Sequence, residues 1–97
     1  MTLDEFKRST SDDHPPADLP RPLLALWHDA RGDWTAAHET AQEIKDAIGS
    51  WIHAYLHRKE GDLANAGYWY HRAGKPECLS SLDAEWQEIV TSIVNDE

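Results

Sequence analysis

His53 and His57 stand four residues apart in the run Trp51 to Glu60, WIHAYLHRKE. On a helix this spacing puts both rings on one side about one turn apart, where two imidazoles can share a metal ion. His28 occupies the matching place in a similar segment 29 residues upstream. The metal set predicted from the sequence is therefore His28, His53 and His57, with zinc or nickel as the ions that such ligands suit. Asp29, His38, Glu60 and His71 are further candidate ligands. A bare HxxxH pair is a weak motif, because a histidine-rich helix also produces it as surface or half-buried rings with hydrogen-bonded nitrogens.

A second chemistry is that of a pocket. Trp27, Trp34, Trp51 and Trp69 fall in one region of the chain, with His28, His57, Arg58 and Asn65 nearby. Tryptophan beside histidine and arginine can stack a planar ligand or clamp a peptide. The binding set drawn from this region is His28, His57, Trp27, Trp51, Arg58, Asn65 and Trp69. Trp34 and Trp51 also fit as core residues at stripe positions. Trp69 lies about a hundred degrees from the stripe of its own helix, and is predicted either to pack on the last helix, the favoured reading, or to stand partly exposed. Arg58 and Lys59 sit at the negative end of a helix, which explains them without a ligand. Nucleophilic catalysis finds no support. Cys78 lies in a loop beside Glu77, the wrong neighbour for a reactive thiolate, and the glycines sit singly with no phosphate-cradling loop.

The elements that must position these residues are helices. Residues 1–20 are rich in Ser, Asp and Pro and are predicted to be a flexible arm, in which Leu3 and Phe6 can dock as one helical turn and Phe6 is the hook. Residues 21–97 form the single domain. Pro22 opens a first helix that ends at Gly32. Asp33 caps a second, with Trp34, Ala37, Ala41, Ile44 and Ile48 as its stripe. Gly49-Ser50 is read as a break, followed by a third helix from Trp51 to Glu60. Gly61 stops it and Asp62 caps a fourth, with Leu63, Ala66, Tyr70 and Ala73 inward. Gly74-Lys75-Pro76 ends that helix, and Ser80 or Ser81 caps a fifth with Leu82, Trp86, Ile89, Val90 and Ile93 at helical spacing. No stretch alternates at period two, so no strand is expected.

Sliding the chain by 29 residues superposes Ala25 on Ala54, His28 on His57, Gly32 on Gly61, Asp33 on Asp62 and Ala37 on Ala66. Self-similarity of this kind marks stacked helical hairpins. Gly61-Asp62-Leu63, Ala66, Tyr70 and Ala73 resemble the turn and second helix of a tetratricopeptide repeat, and Ala66 to Ala73, AGYWYHRA, resembles its Sel-like branch. The offset is shorter than the period of about 34 usual for such repeats, and a solenoid needs about three copies. The expected fold is therefore all-α: a compact five-helix bundle of two stacked tetratricopeptide-like hairpins over residues 23–76, closed by a C-terminal capping helix.

Composition narrows the partners. The 97 residues carry 9 basic and 18 acidic side chains, a net charge of −9. This disfavours nucleic acid, whose phosphates need a basic face, and an anionic membrane surface. One cysteine permits no internal disulfide, and no signal-like or membrane-spanning run stands out, so a cytoplasmic protein is expected. By analogy with the repeat family, the leading expectation is a non-catalytic interaction module. Its concave side, residues 22–31 and 51–60, would receive a basic or neutral peptide or protein segment. The alternative is a metal-binding protein or small metal-dependent enzyme built on His28, His53 and His57. Self-association into a homodimer through Val90 and Val94 is a third expectation, against a monomer.

Overall fold

The computed structural model describes residues 1–95, and these contain six helices and no strand: α1 (Leu3–Ser9), α2 (Arg21–Ala30), α3 (Trp34–Gln42), α4 (Ala47–Glu60), α5 (Leu63–Ala73) and α6 (Leu82–Val94). Among the described residues, no helix is long and apolar enough to cross a membrane. The all-helical expectation holds.

The two glycine–aspartate corners are built alike. Gly32 and Gly61 take left-handed φ values of 81° and 92°, where a side chain would be strained. The next residue's amide then reaches back, Asp33 N–H to the His28 carbonyl and Asp62 N–H to the His57 carbonyl, both 2.9 Å. Each aspartate turns its carboxylate onto the following helix, accepting from Ala36 N–H at 3.0 Å and Asn65 N–H at 3.2 Å. That satisfies a free amide at each helix start.

The break expected at Gly49-Ser50 is misplaced. α4 begins at Ala47, capped by Asp46 through the Gly49 amide, so Gly49 and Ser50 lie inside it rather than breaking the chain. α3 correspondingly stops at Gln42, short of Ile44 and Ile48. Gly49 is there for space. A Cβ at this position would come within 2.3 Å of the Ile44 carbonyl oxygen.

Every residue of α4 from Gly49 to His57 is buried. It packs most extensively on α5, and also on α3, α6 and α2, while α2 pairs chiefly with α3. α6 lies against both α2 and α4. It thus packs on the two helices, residues 22–31 and 51–60, that were expected to line a concave side. Val90 belongs to the core, and Val94 packs against it.

The N-terminal segment docks through the helical turn and the Phe6 hook that its sequence suggested. Thr2 and Glu5 form a reciprocal capping box for α1. Phe6 is fully buried and stacks on Trp86 with ring centroids 5.6 Å apart. Four of the five tryptophans act as bolts between elements. The Trp27 indole donates to the Ser9 carbonyl at 2.9 Å, Trp34 to the Leu56 carbonyl at 2.9 Å, Trp86 to the Leu26 carbonyl at 3.1 Å, and Trp51 to the Glu85 carboxylate at 3.1 Å.

Glu85, in the first turn of α6, is fully buried despite its charge. It accepts from Trp51, from the Tyr70 hydroxyl at 2.6 Å and from the Arg58 guanidinium at 2.8 Å. Arg58 also donates to the Ser80 carbonyl, tying the loop before α6 to α4. Burial, reinforced by this hydrogen bond to Glu85, pushes the Tyr70 phenol above its ordinary range, so it stays a donor.

Two substitutions test these contacts by urea unfolding. Glu85→Ala strands a part-buried guanidinium and two buried donors, Trp51 and Tyr70, and should cost about 3 kcal/mol. Phe6→Ala should cost a similar ~3 to 5 kcal/mol as a core deletion, whereas a loose arm would leave the midpoint unchanged.

Candidate metal site of three histidines

His53 and His57 lie one turn apart on buried α4, with ring centroids 6.0 Å apart. α3 brings a third imidazole to them. His38 meets His53 edge-on at 4.9 Å and His57 edge-on at 5.2 Å between centroids. One candidate ligand atom from each of the three lies within 4.8 Å of the other two. His38 replaces His28 in the set expected from the sequence. His28 remains on α2, half-buried and edge-on to Trp27, and takes no part in the cluster.

Tryptophans wall the cluster on two sides. Trp34 stacks on His38 at 4.8 Å, and Trp69 stacks on His53 at 4.1 Å. Trp69 therefore packs on α4 and is half-buried. Among the described residues its indole makes no hydrogen bond, unlike the other four. Its ring carries the Arg72 guanidinium 5.1 Å from the centroid. The histidines are least covered at His38, which is half-buried, whereas His53 and His57 are buried.

The polar contacts of the three rings differ in a telling way. His57 Nδ1 lies 2.6 Å from a Glu60 carboxylate oxygen. A carboxylate there accepts Nδ1–H, which leaves the Nε2 lone pair free. His53 Nδ1 is the only buried side-chain nitrogen or oxygen among the described residues without a hydrogen-bond partner. Burial drives the His53 pKa down to about 4, and the neighbouring His38, His57, Lys45 and Arg72 add to the effect. Burial also lowers His38, with His57 acting in the same sense and Glu60 and Glu39 opposing it. At neutral pH His53 is thus a neutral imidazole, the form that binds metals.

The remaining sequence candidates do structural work elsewhere. Trp27 and Trp51 are core bolts, and Lys75 lies over the Trp51 ring at 4.0 Å. Arg58 serves Glu85. Asn65 is half-buried in the first turn of α5, its amide held by Asp62. Asp29 is buried, accepting from the Tyr55 hydroxyl at 2.7 Å and from Lys59 at 2.9 Å. His71 is exposed on α5. Of the predicted binding set, only His57 and Trp69 belong to the cluster, and His53 joins them from the predicted metal set. His38 and Trp34 had a sequence signal of their own, being four apart on one helix and so one turn apart on its surface.

No family model matches the chain, and no curated protein or solved structure matches it either.

The burial of neutral His53 has a pH signature. Its folded pKa of about 4 lies below the unfolded value of 6.5, so the unfolded chain takes up the proton first as pH falls. Stability is complete above pH 6.5 and declines toward pH 4 by about 3 kcal/mol, at 1.36 kcal/mol per pKa unit. Urea midpoints of chelator-treated protein at a series of pH values check this. His53→Phe should show a shallower decline than the parent across that window.

Proposed function

We propose that this chain binds a divalent transition metal of the zinc or nickel class through His38, His53 and His57. The observation that carries the reading is the unpartnered, buried Nδ1 of His53 beside two further imidazoles. A buried imidazole nitrogen without a partner costs free energy, and a metal ion bound to the unprotonated nitrogen of the ring relieves it. Three imidazoles are also a recognised donor set for zinc.

The dimensions fit, with one adjustment. Nitrogens around a tetrahedral zinc lie about 3.3 Å apart, given bonds of about 2.0 to 2.1 Å. The present separations, up to 4.8 Å, must therefore close by about 1.5 Å. His38 is the ring to move, being half-buried and held by stacking alone. Glu60 supplies the outer support, orienting His57 through Nδ1.

The scaffold is read as two tetratricopeptide-like hairpins, α2–α3 and α4–α5, and the matching construction of the two glycine–aspartate corners supports this. The metal would bridge the second helix of one hairpin to the first helix of the next. A peptide-receiving groove on residues 22–31 and 51–60 has less in its favour, since α6 packs against both α2 and α4.

Titration calorimetry with Zn2+ and Ni2+ on untagged, chelator-stripped protein tests the reading. His38→Ala, His53→Leu and His57→Ala should each abolish stoichiometric binding, while His28→Ala and His71→Ala keep it. Glu60→Ala should weaken affinity about 10- to 100-fold. Full binding by His53→Leu with native helicity would overturn the assignment.

A further inference from the structure

A cavity lies where α1, α2, α4 and α6 meet, and it shares no residue with the histidine cluster. We propose that it binds a zwitterionic small molecule, an α-amino acid with an apolar side chain. Lys7 and Lys59 take the carboxylate and Asp83 takes the ammonium. The cavity has a volume of about 360 Å3. That is the small end of the roughly 300 to 1,000 Å3 of ligand sites, so it suits a molecule of amino-acid size rather than a dinucleotide.

One part of the wall is buried and already organised. Asp29 and Tyr55 both line the cavity and are each 3% exposed. The carboxylate spends one oxygen on the Tyr55 hydroxyl at 2.7 Å and the other on the Lys59 ammonium at 2.9 Å. These bonds hold Lys59, a long and otherwise mobile side chain, at the cavity. An ammonium has three N–H donors, so the bond to Asp29 leaves others for a ligand. A charge fixed in advance costs less ordering entropy when the ligand arrives.

The other two charges on the wall are unspent. Lys7 follows the buried Phe6 on α1, and among the described residues its ammonium has no partner. Asp83, in the first turn of α6, accepts from the neutral Gln87 amide at 3.0 Å and pairs with no cation among the described residues. Once Lys59 and Asp29 have offset each other, the lining keeps Lys7 as a free cation and Asp83 as a free anion. That balance selects the ligand. A polyphosphate or dicarboxylate would meet Asp83, and a polyamine would meet Lys7 and Lys59, each at the cost of like-charge repulsion. A zwitterion satisfies both signs. Its carbon chain has apolar surface to lie on, since Trp86 and Leu82 complete the lining.

Three probes on one carbon skeleton separate the two charges: L-leucine, its deaminated form 4-methylpentanoate and its decarboxylated form 3-methylbutylamine. Proton–nitrogen NMR titration of chelator-stripped protein reads affinity and place together. L-Leucine should give saturable shifts at the Trp86 indole N–H and the amides of Lys7 and Asp83. Each single-charge probe should bind about tenfold or more weakly, the loss expected of one charged hydrogen bond. Lys7→Gln and Asp83→Asn, both at exposed positions, should each raise the leucine midpoint by a similar factor. No saturable shift with leucine overturns the proposal, as does equal binding by either single-charge probe. Leucine binding that ignores both substitutions overturns it as well.

Discussion

A helix buried along most of its length must find a partner for each polar group it buries, because there is no water to supply one. α4 is that helix here, and most of the molecule is arranged around meeting its demands. Trp51 and Arg58 are met by Glu85 from α6, Tyr55 and Lys59 by Asp29 from α2, and His57 by Glu60 on its own last turn. The two buried carboxylates are thus not burdens that the core tolerates. They are what allows so polar a sequence as WIHAYLHRKE to occupy the centre of the fold. Arg58 and Lys59 are adjacent in sequence yet reach different carboxylates on different helices, which fixes the rotation of α4 about its own axis.

Against this background the unpartnered nitrogen of His53 stands out by contrast. The same helix that satisfies its other buried groups leaves Nδ1 of His53 without a partner, on a ring packed against two more imidazoles. Hydrophobic packing alone would be served as well by a phenylalanine between Trp69 and His57. A neutral histidine at that place retains a lone pair that phenylalanine lacks, and the surrounding rings shield it from competing protons.

Much of the architecture was legible from local chemistry. Gly32-Asp33 and Gly61-Asp62 stop and restart helices by means that involve only a few neighbouring residues, so their positions could be read directly. The spacing of Trp86, Ile89 and Val90 likewise announced a buried face. What escaped the reading depended on contacts distant in sequence. Gly49 looks like a helix breaker unless one knows that the Ile44 carbonyl passes over it, and Asp46 was the cap that betrayed the true start. Glu85 sits three residues after Leu82 and four before Ile89, squarely on the apolar stripe, but its charge argued for solvent. The choice of His38 over His28 was set by how α3 leans on α4, which no repeat offset reveals. Matching His28 to His57 was sound as a statement about corners and misleading as a statement about neighbours.

The crowding at Gly49 bears on which sequences can inherit this fold. The obstacle there is a backbone oxygen, 2.3 Å from where a Cβ would be, and a main-chain atom cannot step aside without moving the whole bend before α4. At Gly67 the obstruction is only the carboxylate tip of Glu77, 2.7 Å away on a side chain free to swing. Descendants of this chain should therefore drift to alanine at Gly67 and keep glycine at Gly49, even though both residues lie within helices and look interchangeable on paper.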